Sequence, residues 1–363
     1  MRMGWPENEA TGESRDALNL GPLSDLADVT GISDIAVNYD GRIWVDYGDG
    51  MREYMPSIPF RPPQAIRRFA VQLCAQLGRR LDDACPIADA SNGEGVRVHA
   101  VIAPLVPYGA AISIRLPSRE THGLERLCAG GMFPLSLIPL LTGLVRGGAN
   151  VMITGGTGTG KTTLLKALLA QCDPRERIVS VEEIRELGSI GTFHHVSLTT
   201  REPNTEGTGG VTLADLVKAT LRMRPDRVVL GECRGEEIAD LLRAFNSGHR
   251  GGFVTLHADG VELVPARLVA LGLLAGLSPQ TTESLARGAF DAIIHLDRCD
   301  GRRRLLQIGV LDMRRDRLIG RVIARAGGGG MSFDDGQWER FLHRWTPGVN
   351  DVRDRRGEGR GTI

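Results

Sequence analysis

The chain has 363 residues, of which 42% are hydrophobic and 24% charged, as expected for a globular protein of about two domains. Its 44 basic and 44 acidic residues give a formal net charge of +0, so no global field would draw it to nucleic acid or anionic lipid. The six cysteines contain no Cys-x-x-Cys pair, which argues against a zinc site or a disulfide framework and fits a reducing cytoplasm. We expect no signal peptide and no membrane helix, because neither pattern occurs.

The first third of the chain has the pattern of a small α+β domain. Residues 1–20 are polar and without periodicity, and we expect them to be disordered. Residues 21–128 form the predicted domain: apolar residues recur at helical spacing over 62–80, and other segments alternate as strands do. The predicted strands are 32–38, 43–47, 96–102 and 110–115.

Residues 129–325 indicate a different architecture. An apolar helix is predicted over 134–145, and from about 147 onward strand and helix patterns alternate. Alternation of this kind favours a parallel sheet with crossover helices, which makes the fold class α/β.

A glycine-rich loop lies between a predicted strand, 149–154, and a predicted helix that begins near Lys161. The loop matches G-x-x-x-x-G-K-[ST], in which backbone N–H groups and the helix N-terminus bind phosphate oxygens. Lys161 would reach the β- and γ-phosphates of ATP, and the Thr162 hydroxyl would bind Mg²⁺. The predicted nucleotide-binding residues are Gly155, Gly156, Thr157, Gly158, Thr159, Gly160, Lys161, Thr162 and Thr163.

Carboxylates end two later apolar strands. Glu182 and Glu183 follow residues 177–181, and Glu232 follows residues 227–231. Ligands meet the carboxyl ends of parallel strands, so these groups are candidates for catalysis. We expect Glu182 to orient or deprotonate the attacking water, with Glu183 in support. Glu232 is the candidate for holding Mg²⁺, either directly or through water.

Two histidines bracket a glycine-rich turn and a short predicted strand. We expect His249 and His257 to face one site, with His257 taking part in catalysis and His249 in nucleotide binding. A zinc site is not expected, because no third ligand at suitable spacing is evident.

Four segments together resemble the secretion-superfamily ATPases of type II secretion, type IV pili and type IV secretion. They are residues 155–163, 181–187, 221–235 and 246–258. Residues 97–104 and 201–212 most resemble the tight-adherence (CpaF/TadA-type) pilus assembly branch. The resemblance covers about residues 22–300. It places Glu182 and Glu183 in the family's acidic box, although Asp usually occupies the second position there.

The resemblance implies a RecA-like P-loop ATPase domain behind a small α+β domain. It makes Glu232 the Walker B acid, places both histidines in a histidine box, and puts Arg97, Arg115 and Arg201 near the nucleotide or a subunit junction. It also implies a homohexameric ring at the cytoplasmic face of the inner membrane. There, hydrolysis of ATP with Mg²⁺ would act on a membrane platform protein to assemble pilin-like subunits.

Two other functions stay open at this point. One is a conjugal-transfer or DNA-translocation ATPase of type IV secretion, although a net charge of +0 gives no support to direct contact with nucleic acid. The other is a nucleotide-binding regulatory subunit with little turnover. The acidic residues at the predicted strand ends argue against the second.

Residues 326–363 are predicted to be a linker and tail. Gly327–Gly330 is read as a flexible linker. Beyond it, four apolar residues at i, i+3, i+4 and i+7 predict a short amphipathic helix. They are Trp338, Phe341, Leu342 and Trp345. This face would pack either on the chain's own ATPase domain or on a neighbouring subunit or platform protein.

Overall fold

The computed structural model describes residues 18–27, 29, 31–48, 50–93, 95–117, 122–188, 194–201, 203, 208–327 and 330–346. The chain divides into two compact units, residues 1–119 and 120–363. The division precedes the predicted boundary at 128, because α3 (Leu124–Ala129) buries Leu124 and Leu127 in the core of the second unit. Most of the segment predicted to be disordered, 1–17, lies outside the described residues.

The first unit is a six-stranded antiparallel sheet with a helix on it. The sheet has the order β3-β2-β1-β6-β5-β4. The apolar face of α2 buries Ile66, Phe69 and Leu73 in the same core as the alternate residues of the strands. The elements are α1 (Ser24–Ala27), β1 (Asp34–Val37), β2 (Ile43–Asp46), β3 (Met51–Tyr54), α2 (Pro63–Gln76), β4 (Ile87–Ser91), β5 (Arg97–Ile102) and β6 (Ala110–Arg115).

The two edge strands, β3 and β4, were not predicted from the sequence. None of the four residues of β3 is buried, so β3 lacks the inward-facing apolar residues from which a strand is recognised. In β4 the buried positions are alanines, which have little preference for strands.

The second unit contains a nine-stranded sheet with the order β15-β14-β13-β12-β7-β11-β10-β8-β9. From β12 to β9 all neighbours are parallel, as predicted. The strands are β7 (Val151–Thr154), β8 (Ile178–Glu182), β9 (His195–Thr199), β10 (Arg227–Cys233), β11 (Phe253–Leu256), β12 (Ala292–Cys299), β13 (Arg302–Arg314), β14 (Arg317–Gly327) and β15 (Gly330–Phe333).

Helices precede, connect and follow these strands and contribute buried residues to the two core clusters of the unit. They are α4 (Ile138–Arg146), α5 (Lys161–Leu169), α6 (Leu213–Thr220), α7 (Glu237–Asn246), α8 (Val264–Leu274), α9 (Pro279–Ala286) and α10 (Asp335–Trp345). None of the helices in the described part of the chain combines the length and the apolar character that crossing a bilayer requires.

The end of the sheet departs from the predicted alternation. Strands β12, β13, β14 and β15 form antiparallel hairpins with no helix between them. The first hairpin turns at Asp300-Gly301, where both residues have positive φ, 51° and 75°. Asp-Gly at a two-residue turn is a strong hairpin signal, and it keeps the chain in the sheet instead of sending it into a crossover helix.

Both ends of the glycine run belong to this meander. Gly327 and Gly330 are paired at the ends of β14 and β15, whereas Gly328 and Gly329, the middle of the predicted flexible linker, lie outside the described residues. Pairing of Ala324 with Phe333 and of Arg325 with Ser332 continues the sheet up to the run on both sides.

The amphipathic tail helix, α10, packs on its own unit. Phe341 and Trp345 are buried in the core that also contains α4 and α5. A Cβ atom on Gly147 would lie 2.9 Å from two atoms of the Trp345 ring, and one on Gly143 would overlap the backbone of Trp345. The absence of side chains at these two positions of α4 and its C-terminus therefore lets the tail approach closely.

We predict that Trp345→Ala destabilises the isolated protein by about 3–5 kcal/mol, because it removes a large buried ring and leaves a cavity against α4. Thermal or urea unfolding measures the loss. Glu339→Ala, on the exposed side of the same helix, is the matched control. Equal stability of the two variants would show that the tail contributes nothing to the fold.

Candidate functional site

The glycine-rich loop joins β7 to α5 with a backbone that only glycine adopts readily. Gly155, Gly158 and Gly160 have φ of 147°, 72° and 95°. A Cβ on Gly155 would lie 2.3 Å from the carbonyl oxygen of Leu296, so the loop also runs too close to β12 for a side chain there. The loop ends where α5 begins, which directs the free N–H groups of that helix toward the loop.

Lys161 is the first residue of α5, and its ammonium lies inside the loop. Its Nζ donates to the carbonyl oxygens of Gly155 at 2.9 Å and Gly156 at 2.7 Å. Burial lowers the pKa of Lys161, while the charges of Glu232 and Glu186 act in the opposite direction. The loop therefore encloses the ammonium of Lys161 close to two carboxylates. A site for a polyphosphate bound with a divalent cation needs groups of both kinds.

The threonines of the loop have different environments. Thr159 is buried and donates to the carbonyl oxygen of Gly156 at 3.0 Å, which closes the loop on itself. Thr157 is exposed, and Thr163 is half-buried on the first turn of α5. The Thr162 hydroxyl donates to Oε2 of Glu186 at 3.3 Å.

Glu182 lies at the end of β8 and is only 3% exposed. Its Oε1 accepts from the backbone N–H groups of Glu186 and Leu187, both at 3.0 Å, and thereby shapes the turn that brings Glu186 to Thr162. Burial raises the pKa of Glu182 to about 7, although the two backbone hydrogen bonds oppose the shift. Its side chain packs over Gly231, where a Cβ would lie 2.7 Å from Cγ.

Glu232, at the end of β10, lies in a network of charges. Its Oε2 accepts from Arg234 at 2.6 Å, and its Oε1 is 2.6 Å from Nε2 of His257. Arg234 also donates to Glu183 at 2.8 Å. Burial alone would raise the pKa of Glu232, but the hydrogen bond and charge of Arg234, with the charges of His257 and Lys161, hold it below its usual range.

His257 follows β11 and completes this cluster. Its pKa is lowered by burial and by the charge of Lys161, with Glu232 opposing. The imidazole is therefore biased toward the neutral form at pH 7, in which it can both accept and donate a hydrogen bond.

His249 does not share this site. It lies before β11, and its Nδ1 is 3.2 Å from the carbonyl oxygen of Ala244 at the end of α7. Its own carbonyl accepts from Asn150, which precedes β7, at 3.3 Å. Strand β11, which runs parallel to β7, lies between the two histidines, so His249 and His257 lie at opposite ends of that strand. The expectation that both face one site is wrong within a single chain, because the strand between them is fully extended.

Of the three predicted arginines, two belong to the first unit and one to the second. Arg97 and Arg115 pair across β5 and β6 in the first unit, and Arg115 donates to Asp34 at 3.1 Å. Arg201 follows β9, bridges to Val211, and donates to the carbonyl oxygen of Gly209 at 2.6 Å.

Four residues that were not predicted from the sequence are brought by the fold to the loop or its acids. Glu186 contacts Thr162, and Arg234 joins Glu183 to Glu232. Arg298 and Arg303, from β12 and β13, both donate through Nε to the carbonyl oxygen of Gly158, at 3.3 and 3.1 Å. Arg234 was visible in the segment after the Walker B strand. The hairpin arginines had no local signal, since over 130 residues separate them from the loop.

The side-chain oxygen atoms close to the phosphate loop fit an Mg²⁺ ion that is bound together with phosphate. The Thr162 hydroxyl and the Glu232 carboxylate are both close to Lys161 in the structure. Across the described ranges, no group of three or more His, Cys, Asp or Glu side chains could hold a metal ion. Mg²⁺ commonly takes one or two protein oxygens and several from phosphates and water, which is what these residues can offer.

Comparisons with known proteins agree with this geometry. A model of the family "Type II/IV secretion system protein" matches residues 16–322. A putative conjugal transfer protein of Mycobacterium tuberculosis H37Rv is 42% identical over 299 residues, covering 80% of this chain and 84% of that protein. The type IV secretion system protein PtlH of Bordetella pertussis is 31% identical over 313 residues, covering 77% and 91%.

A solved structure supports the fold. The X-ray structure of the Legionella pneumophila ATPase DotB aligns with a TM-score of 0.54 at 22% identity, covering 78% of this chain and 77% of that one. The family match spans most of the sequence, and both relatives exceed 30% identity over more than two thirds of it. The chain therefore belongs to the type II/IV secretion system protein family and is an ATPase of that family.

Proposed function

We propose that this protein is a secretion motor that binds ATP with Mg²⁺ in the loop 155–163 and hydrolyses it to drive transport or assembly at a membrane complex. The observation that carries the proposal is the placement of Lys161 inside the phosphate loop, beside the carboxylates of Glu232 and Glu186. Such an arrangement binds polyphosphate through backbone N–H groups and one compact cation.

In this proposal, different groups of the chain bind the phosphates, hold the Mg²⁺ ion and orient the Glu232 carboxylate. The N–H groups of 155–160 and the N-terminus of α5 bind the β-phosphate, and Lys161 exchanges its loop carbonyls for phosphate oxygens. Thr162 and Glu232 hold the Mg²⁺ ion, which neutralises phosphate charge when it is bound. His257, held 2.6 Å from Glu232, orients that carboxylate.

Glu182 is our proposed base, with Glu183 in support. A carboxylate with a pKa of about 7 is a stronger proton acceptor than an ordinary glutamate. Its Oε2 is buried and, among the described residues, has no hydrogen-bond partner, so it can accept from the attacking water. Glu183 is exposed and held by Arg234, where it can influence the same water only through that arginine.

We further propose a homohexameric ring, peripherally bound at the cytoplasmic face of the inner membrane, that acts on a platform protein. The support is the resemblance of residues 22–300 to ring-forming secretion ATPases. Arg97, Arg115, Arg201 and His249 would then act at a subunit junction, where an arginine could stabilise charge at the γ-phosphate. Light scattering with ATP and Mg²⁺ tests the ring, and a strictly monomeric species would count against it.

Two candidate functions differ in the cargo that the motor would move. Resemblance of 97–104 and 201–212 to the tight-adherence branch supports assembly of pilin-like subunits. The name of the mycobacterial relative favours conjugal transfer as the second candidate. Deletion of the gene in its host tests both: loss of surface pili supports the first, and loss of DNA transfer with pili retained supports the second. We expect no direct nucleic-acid binding, which a gel-shift assay with purified protein checks.

We predict that Lys161→Ala abolishes hydrolysis and weakens ATP binding, because it removes the cation inside the loop. Steady-state phosphate release and equilibrium binding measure the two effects. Lys218→Ala is the matched control, since that lysine is exposed and pairs with Asp240 on α7. Turnover of Lys161→Ala above about a tenth of the wild-type rate would refute the site, since a catalytic group typically contributes ~10²–10⁴-fold.

Glu232→Gln should leave nucleotide binding largely intact and lower the turnover number by about 10²–10⁴-fold, because it removes the carboxylate charge that is proposed to hold Mg²⁺ at the reacting phosphate. Binding and hydrolysis are measured on the same preparation. Glu236→Gln, an exposed glutamate at the start of α7, is the control. Normal hydrolysis by Glu232→Gln would remove Glu232 from the mechanism.

Glu182→Gln should change how stability depends on pH. Between pH 4.5 and about 7 the folded wild type retains a proton on Glu182 that the unfolded chain has lost, so the free energy of unfolding falls as pH rises. The loss across this window is about 3 kcal/mol at ~1.4 kcal/mol per pKa unit. Gln retains the shape and cannot ionise, so urea unfolding at pH 5 and pH 8 should differ less in this variant. Glu183→Gln, at the exposed neighbour, should leave the wild-type difference unchanged.

A further inference from the structure

The β12–β13 hairpin brings two arginines onto one carbonyl of the phosphate loop. Arg298 and Arg303 are direct cross-strand partners, and each donates through Nε to the carbonyl oxygen of Gly158. We propose that this pair, the hairpin clamp, consists of positioning residues that hold the Gly158–Thr159 peptide in its phosphate-binding orientation. The proposal rests on the proposed function of the loop and names residues outside its motif.

The register of the hairpin explains why these two side chains meet. The turn at Asp300-Gly301 has positive φ at both residues and places Cys299 opposite Arg302, so Arg298 and Arg303 form the next pair. Residues directly opposite on two strands project to the same face. Like charges in such a pair repel each other, and here both are directed at a shared acceptor.

The shared acceptor explains what the clamp does. The carbonyl of Gly158 and the N–H of Thr159 belong to one planar trans peptide and point in opposite directions. Two charge-assisted hydrogen bonds on the oxygen hold it toward the hairpin, and the N–H is thereby directed away from the hairpin. Gly158, with φ of 72°, is conformationally permissive, so without such a restraint this peptide could rotate.

Contacts along both arginines show that the approach is close. A Cβ on Gly158 would lie 3.5 Å from Nη2 of Arg298, and one on Gly160 would lie 3.3 Å from Cδ of Arg303. The hairpin is therefore packed along the loop on the side of the Gly158 carbonyl. The clamp makes the affinity for nucleotide depend on the register of β12 and β13.

The test compares Arg298→Ala, Arg303→Ala and the double variant with Arg304→Ala. Arg304 is the exposed neighbour whose cross-strand partner is Asp297, on the alternate face of the hairpin. Equilibrium binding of ATP and ADP, turnover, and thermal unfolding without nucleotide are measured for each. Lys161→Ala and the wild type are included to test the site itself.

We expect each single variant to bind ATP and ADP about 2- to 5-fold more weakly, because the other arginine still holds the carbonyl. The double variant should bind both about 10-fold or more weakly, the scale of losing charge-assisted hydrogen bonds. The turnover number at saturating ATP should change far less than the affinity. Unfolding without nucleotide should stay at the wild-type temperature, and Arg298→Lys with Arg303→Lys should restore part of the affinity.

Three results would overturn the clamp. The first is wild-type affinity in the double variant while Lys161→Ala has lost binding, which leaves the proposed function intact. The second is an equal loss in Arg304→Ala, which would reflect general positive charge. The third is a fall in unfolding temperature that accounts for the loss of binding. Failure of the wild type to bind nucleotide would overturn the proposed function, and the clamp with it.

Discussion

The parallel pairing of β7, β8, β10 and β11 determines where the phosphate loop, its two main acids and His257 lie. The four strands run in one direction, with one irregularity between Leu230 and Cys233 of β10, so their last residues meet at one edge of the sheet. The phosphate loop leaves that edge from β7, Glu182 from β8, Glu232 from β10 and His257 from β11. If one strand were shifted in register, or if one crossover connection had the opposite hand, these groups would no longer lie together, whichever residue types they were.

Several carboxylates lie close together at this edge of the sheet, and an arginine between them offsets their repulsion. Arg234 lies between Glu183 and Glu232, with 2.8 and 2.6 Å contacts, and its hydrogen bond and charge hold the pKa of Glu232 below the usual range. Glu182 has no arginine partner among the described residues, and burial raises its pKa instead. The pKa values of two glutamates at the ends of the neighbouring strands β8 and β10 therefore shift in opposite directions.

Local patterns explain how much of this could be predicted from the sequence. The phosphate loop, α5 and the strands that end in carboxylates depend on residues within about a dozen positions of one another, and each was identified. Glu186 and the hairpin arginines were missed because their contacts follow from a turn geometry and a strand register that no short segment encodes. His249 and His257 were misjudged because nearness in sequence hides an extended strand between them. The pairing of Gly327 with Gly330 was not predicted, because a glycine-rich composition permits flexibility without requiring it.

The close approach of α10 to α4 constrains which residue can occupy position 143. Gly143 has no space for a side chain while the backbone of Trp345 lies against it. Any related chain that carries alanine or a larger residue there cannot retain this contact in the same form. Evolution at position 143 and at the last turn of the tail should therefore be coupled: lineages in which the backbone of the tail no longer packs against α4 are free to replace the glycine, and those that keep this packing are not.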